Sequence, residues 1–305
     1  MNKKVFVIVV TYNGMQCIDN CLSSLIGSTI SLHIIVIDNA SSDTTCALIK
    51  NKYVDVELIE AGSNLGFGKA NNIGLQMALK KNADYVFLLN QDAWVEPDSV
   101  EQLLKIAEQN KDYGIISPVH VLPNSYALEW HFSTYISADK CPDFISDIYF
   151  NKKKSLYGLP FVNAAAWLIN KDCILKVGGF DPLFPHYGED DDYCNRALFK
   201  KFKIGVTPNA SITHDITMKS WNEIKANKQR QLIFSFIELK NMNFTYRYLI
   251  FNFIKSRVEK LFSLLLTRRW KEFVFMSKIF FNSLTYFSEI RRSRKIAKEN
   301  LSYLN

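Results

Sequence analysis

Several common signatures are missing from this chain of 305 residues. It has no G-x-x-x-x-G-K-[ST] loop, which removes the P-loop nucleotide hydrolases. It has no G-x-G-x-x-G after its first apolar run. Gly14 stands alone there, and Gly66-Phe67-Gly68 follows a later run without a third glycine at the right offset. A dinucleotide-binding dehydrogenase is therefore disfavoured. The six cysteines, at 17, 21, 46, 141, 173 and 194, form no C-x-x-C pair, so they read as reduced cytosolic thiols rather than a metal site or a disulfide framework. Val5–Val10 spans only six residues, too short for a secretory segment and well suited to a buried strand. Aspartate is absent beyond residue 221. Residues 222–305 carry 17 Lys and Arg against 6 Glu, a net +11, whereas residues 1–221 carry 20 against 24, a net −4. That asymmetry predicts a mildly acidic domain, 1–221, followed by a basic, aromatic-rich extension, 222–305.

What is present is an alternation of strands and helices. Lys4–Val10, His33–Ile37, Val56–Ile59 and Tyr85–Leu89 are short β-rich runs. Between them Asn20–Ile26, Thr44–Lys52 and Gly68–Lys81 have helical character, and Ser99–Asn110 follows. Repeated βαβ units of this length predict an α/β fold, a mainly parallel central sheet flanked by helices. Ligands of such sheets bind beyond the carboxyl ends of the strands. Every run ends there in small polar residues: Thr11-Tyr12-Asn13, then Asp38-Asn39-Ala40-Ser41-Ser42-Asp43, then Gly62–Lys69, then Asn90-Gln91-Asp92. A single Asp after a strand is ordinarily a turn former or a helix cap; four polar ends on one edge outline a site.

The segments VVTYNG, VIDNASSD, NLGFGKANNIGL, LLNQDAWV, GGFDPLF and YGEDDDYCNRA occur in that order, followed by a His. Together they resemble an inverting family 2 glycosyltransferase of the GT-A (nucleotide-diphospho-sugar transferase) fold, in its rhamnosyltransferase-like branch, over roughly residues 4–216. The resemblance implies the following roles. Asp92 holds a divalent cation, Mg²⁺ or Mn²⁺, on the diphosphate of a sugar nucleotide. The first carboxylate of the usual Asp-x-Asp is replaced here by Asn90, which brings an amide oxygen and no charge. Thr11 and Asp38 meet the nucleoside, a pyrimidine if Asp38 accepts from its ring N–H; an Asx-turn is the alternative for Asp38. Tyr12, Asn13, Asn64, Lys69, Asn72, Asn90 and Gln91 line the same donor edge. Asp190 is the catalytic base, beside Tyr187 and Glu189, which orient the acceptor, while Asp192 caps the following helix. His214 completes the metal shell, with His186 as the alternative.

The implied activity is transfer of a sugar from a dTDP- or UDP-linked donor, dTDP-rhamnose among them, to a hydroxyl of a glycan or lipid-linked glycan in cell-surface polysaccharide synthesis. The rivals are a nucleotidyltransferase, for which VVTYNG lacks the basic glycine-rich loop, and a non-catalytic carbohydrate- or lipid-binding module. The extension is Phe-rich and repeatedly interrupted by Lys or Arg, so it predicts two or three amphipathic helices rather than a membrane span. They would meet an anionic membrane surface or a second subunit in a homodimer. Nucleic acid is not an expected partner, and the expected location is cytoplasmic, on the inner face of the cell membrane.

Overall fold

A computed structural model describes residues 3–123, 127–185, 187–216 and 228–304. The expected boundary at residues 221–222, and His186, lie outside the described residues. Strands β1 (Val5–Thr11), β2 (His33–Asp38), β3 (Glu57–Glu60) and β4 (Tyr85–Asn90) alternate with α1 (Ile18–Ile26), α2 (Thr45–Lys52) and α3 (Phe67–Lys80). They pair in parallel in the order 3-2-1-4. The continuous apolar runs are explained by burial on both faces. Val5, Val7 and Val9 point toward α1 and α4 (Ser99–Gln109), while Phe6 and Ile8 point toward α3.

Beyond β4 the sheet becomes mixed. β6 (Tyr113–Val121) ends at the carboxyl edge, and the chain then wanders through residues 122–165, including α5 (Trp130–Tyr135) and α6 (Phe144–Tyr149). With no crossover to carry it back, it re-enters as β8 (Ala166–Asn170), antiparallel to both β4 and β6. β9 (Lys203–His214) lies parallel to β6 and receives β5 (Ala93–Val95) and β7 (Tyr157–Gly158) antiparallel. The small residues Ala164 and Ala165 precede β8 in a loop.

The extension forms four helices among the described residues: α9 (Lys228–Lys240), α10 (Tyr246–Leu266), α11 (Trp270–Thr285) and α12 (Phe287–Ile296). Its core of Ile233, Phe236, Leu239, Phe253, Phe280 and Ile290 encloses Phe184, a residue of the first 221. Burying one such Phe contributes about 1.5–3 kcal/mol. The chain end returns to the sheet domain: Gly179 N donates to Ser302 O at 2.8 Å and Leu301 N to Leu175 O at 2.9 Å.

A buried ionic group closes this join, between α7 (Lys171–Val177), α8 (Glu189–Phe199) and α9. Asp192 accepts from Arg196 Nε at 2.7 Å and from Lys240 Nζ at 2.6 Å. Lys240 also pairs with Asp181, which takes a further bond from the Ser293 hydroxyl. Arg196 spends its remaining nitrogens on Val177 O and Gly179 O. Burial alone would push the Asp181 carboxyl up; the Lys240 ammonium holds it below its ordinary value. The expectation that Asp192 caps α8 is thus corrected. Two buried cations claim its carboxylate, and it makes no bond to the helix amides.

Candidate active site

Register alone assembles the polar edge at which a donor is expected. In the β1/β2 pair Thr11 stands opposite Asp38, and in the β1/β4 pair Val10 stands opposite Asn90. Gln91 ties the first and last strand ends together: its Oε1 accepts from Thr11 Oγ1 at 2.6 Å and from Tyr12 N at 2.9 Å. A Cβ on Gly14 would sit 2.5 Å from that same Oε1 and 2.6 Å from Thr11 Oγ1, so a larger residue there would displace the bond between them. Asn13 and Ser41–Ser42 clasp the neighbouring loop, Asn13 N donating to Ser41 Oγ and Ser42 N to Asn13 Oδ1. Asp38 is almost wholly covered, and both its oxygens accept from Ser41, one from the amide and one from the hydroxyl. The Asx-turn alternative is therefore what this loop contains. Asn64 lies exposed and accepts from Gly66 N, and Lys69 is exposed at the start of α3.

Asn72 is not brought to this edge. Its amide nitrogen donates to Phe180 O and Tyr303 O, and its oxygen accepts from Phe180 N at 2.7 Å. Both donors are used in joining α3 to the Gly178–Phe180 turn and the chain end, which makes Asn72 a packing bond rather than a ligand group.

Asp92 and His214, separated by more than a hundred residues, are brought together by the short strand β5. Ala93 pairs with His214, and Asp215 N donates to Asp92 O at 2.8 Å. The Asp92 carboxylate then stands 3.4 Å from His214 Nε2, with Asn90 Nδ2 3.5 Å from the same nitrogen. An oxygen and an imidazole nitrogen at this separation can share one cation whose ligands sit at about 2.0–2.2 Å. Nδ1 of His214 is buried without a hydrogen-bond partner, as is Nδ1 of His120. His120, Glu129 and His214 bring one donor atom each within 4.8 Å of one another. Burial, then the nearby His214, holds the His120 ring well below the ordinary imidazole range, so it is neutral. The donor atoms of His120, Glu129 and His214 therefore fit a divalent metal, with Asp92 beside His214, while the Glu129 oxygens also accept from His131 N and Phe132 N at the start of α5.

The acidic motif opens α8. The chain enters it through two left-handed residues, Tyr187 (φ 69°) and Gly188 (φ 82°). An aromatic residue in that region is strained, a feature that clusters at functional sites. The Arg230 guanidinium lies 3.9 Å from the Tyr187 ring centre. Gly188 leaves room for α9: a Cβ there would meet Ile233 at 2.8 Å. Glu189, Asp190 and Asp191 line a cavity of about 450 Å³ whose wall also holds Asn90, His131, Tyr135, Asn163 and Arg230. Asp190 Oδ1 accepts from Asp191 N at 2.9 Å. Burial raises the Asp190 carboxyl above its ordinary value; burial and then the Asp190 charge push both Glu189 and Asp191 up to about 8. Three carboxyls in one covered site do not all ionise together near neutral pH.

Asn90, 3.5 Å from the His214 ring of the Asp–His pair, lines the same cavity as the acid cluster, and the sequence model described as Glycosyl transferase family 2 matches residues 6–177, more than half the chain. The chain belongs to glycosyl transferase family 2. Within this family it is rhamnosyltransferase-like. It is 25% identical over 224 residues to a dTDP-rhamnosyl transferase, RfbF, of Shigella flexneri, covering 72% of each chain. It is 25% identical over 236 residues to an N-acetylglucosaminyl-diphospho-decaprenol L-rhamnosyltransferase of Mycobacterium tuberculosis, covering 68% of this chain and 75% of that one. The fold is shared with TarS 1–349 of S. aureus, solved with UDP-GlcNAc (TM-score 0.58, 14% identity, 81% of this chain and 69% of that one). It is shared too with the mannosyltransferase PcManGT of Pyrobaculum calidifontis, solved with GDP-Man and Mn²⁺ (TM-score 0.58, 14% identity, 94% and 87%). The glycosyltransferase thus has the GT-A fold with a C-terminal helical part.

Sequence reasoning missed His120, Glu129 and Arg230. His120 lies near the end of β6 and Glu129 in the irregular stretch after it, and the bond from Glu129 N to His120 O at 2.9 Å, with the bridge Val121–Leu128, brings them together. Arg230 belongs to an extension whose basic residues all looked alike in sequence.

Proposed function

We propose that this glycosyltransferase moves a sugar from a pyrimidine nucleotide donor, a dTDP- or UDP-linked sugar, to a hydroxyl of a glycan or lipid-linked glycan, with inversion and with help from Mg²⁺ or Mn²⁺. The observation that carries the reading is that one cavity is lined both by Asn90, which lies 3.5 Å from His214 of the Asp92–His214 pair, and by Asp190. Such a cleft lets a donor diphosphate and an acceptor hydroxyl approach one anomeric carbon from opposite directions. The rhamnosyltransferase relatives favour dTDP-rhamnose as donor and a lipid-diphosphate-linked acceptor.

Asp92 and His214 would hold the cation, which neutralises charge on the departing diphosphate when bound. Thr11, Tyr12, Asn13, Asp38, Asn64, Lys69 and Gln91 form the nucleotide edge. Asp190 takes the acceptor proton as the acceptor oxygen bonds to the anomeric carbon and the bond to the diphosphate breaks. Tyr187 and Glu189 position the acceptor ring. One displacement with a single base gives inversion, and nothing covalent forms on the protein.

The test is a thermal-shift screen of sugar nucleotides with and without Mn²⁺ or Mg²⁺, followed by transfer assays with the donors that bind. A ligand specific to the native state raises the melting temperature. A metal-dependent shift with dTDP- or UDP-sugars is the expected result. Stabilisation by purine sugar nucleotides alone would overturn the donor assignment.

A further inference from the structure

We propose that the hairpin of α10 and α11 docks flat on an anionic lipid bilayer, independently of the transfer chemistry. The observation is a helix that is apolar on two opposite sides. Leu249, Phe253 and Leu264 of α10 are buried in the bundle. On the other side Tyr248, Phe251, Val258, Phe262 and Leu266 recur at helical spacing, and Phe251 and Leu266 are 66% and 67% exposed. α11 repeats the pattern: Ile279 and Phe280 are buried, while Trp270, Val274 and Phe281 are exposed, Phe281 by 64%. Isolated apolar residues on a surface mean little, but two adjacent stripes of aromatics along about 30 Å of helix form a patch that asks for cover.

The charge decides what covers it. Residues 244–285 hold eight Lys and Arg against two Glu. A two-fold dimer through this face would press two such cationic surfaces together. An anionic lipid surface is complementary instead. Lys255 lies within the α10 stripe, Arg268 follows the end of α10, and Lys271 and Lys278 flank the α11 stripe. Their long stems let the ammonium or guanidinium reach headgroups while the aromatic rings enter the acyl boundary. No helix among the described residues is long and apolar enough to cross a membrane. Lying on the surface is the geometry left for such stripes. The same bundle borders the acid cavity: α9 gives Arg230, Ile233, Phe234 and Ile237 to the cavity wall and also contacts α10 and α11. Docking would therefore set the cavity beside the bilayer.

The experiment is flotation of the full chain with phosphatidylcholine vesicles, with and without phosphatidylglycerol, over a range of salt, alongside light scattering without lipid. Binding to the phosphatidylglycerol vesicles only, weakening as salt rises, is expected. Phe251→Ser/Phe262→Ser/Phe281→Ser should weaken it by about tenfold or more, since each ring removes buried apolar area. Lys255→Glu/Lys271→Glu/Lys278→Glu, which leaves the apolar stripes intact, should do the same at an unchanged melting temperature. Donor binding should survive both triple variants. Two results would overturn the proposal. One is a chain that ignores anionic vesicles and has the mass of a dimer, dissociated by the Phe variant. The other is a monomer that ignores them.

Discussion

The first turn of α8 carries four acids with opposite fates. On its cavity side Glu189, Asp190 and Asp191 share a covered pocket, and burial raises all three carboxyls. On its inner side Asp192 is equally buried but held by Arg196 and Lys240. Both arrangements remove carboxylates from water. Only one supplies the counter-charges that removal requires. The positive end of the helix dipole offsets part of the cost for the cavity acids. What remains uncompensated leaves carboxyls able to exchange a proton near neutral pH, the property the proposed general base requires. Asp192 belongs instead to the mechanism that fastens the helical extension to the catalytic domain. The two acids, one turn position apart, can be separated by experiment.

The largest effect is expected at the cavity side. Asp190→Asn keeps shape and the bond from Asp191 N but removes the proton acceptor. Turnover should fall by about two to four orders of magnitude, with donor affinity nearly unchanged, when kcat and donor Kd are measured separately. A variant with near-normal transfer and an intact fold would move the base to Asp191, the next acid facing the cavity.

At the inner side the loss should appear in stability. Lys240→Met leaves Asp181 and Asp192 buried with one cation fewer, and unfolding in urea should show a loss of about 3–5 kcal/mol. Below the new melting temperature the surviving protein should keep its acceptor KM, because no atom of Lys240 lines the cavity. A Lys240→Met protein as stable as the parent would remove the ionic group from its role as fastener.

The contrast between these acids also marks what the sequence could and could not disclose. Strand ends with Thr11, Asp38 and Asn90 were legible, because short apolar runs that stop at small polar residues follow from the parallel sheet itself. The parallel half of the fold was legible for the same reason. The antiparallel β8 was not, since it depends on how residues 122–165 return to the sheet, and that stretch has no strong period. Within EDDD the resemblance assigns Asp190 and Glu189 to the site, but for Asp192 it gives only a cap. Which of them meets Lys240 depends on a helix 48 positions later. Asn72 misled in the same way: its motif context pointed to the donor, but Phe180 and Tyr303, far along the chain, take up its amide. The pairing of Asp92 with His214 was readable only through resemblance, since the three residues of β5 that create it are too short to predict.

A pH profile sharpens the comparison from the cavity side. Burial and then Asp190 raise Glu189 from 4.5 to about 8. The folded state therefore keeps a proton that the unfolded chain releases near pH 4.5. This contribution is fully present below the unfolded value and is lost as pH climbs through about 8. Glu189→Gln should flatten that part of the urea-midpoint curve and make the protein more stable than its parent at alkaline pH, on the order of 1–3 kcal/mol. An unchanged slope would mean that Glu189 is ionised in the folded protein and that Asp190 and Asp191 carry the shared proton.

Asp38 is the intermediate case, and the smallest effect is expected there. Like Asp192 it is covered and has internal partners; like Asp190 it stands at the ligand edge. Its partners, the Ser41 amide and hydroxyl and the Cys46 thiol, are all neutral donors, and a carboxylate offers about four acceptor sites, so a lone pair remains. A pyrimidine ring N–H could use one if the loop from Asn39 to Ser42 gives way slightly, and Ala40, held at φ 62°, is a strained point in that loop. Asp38→Asn preserves an acceptor for Ser41 N and offers an amide donor where the base would place its own N–H. If Asp38 reads the base, UDP and dTDP should lose about tenfold or less in affinity in a calorimetric titration, roughly the worth of one hydrogen bond, while GDP and ADP bind as before. If all four nucleotides weaken together, Asp38 acts only through the loop it holds. It would then belong with Asp192, among the acids that serve the fold.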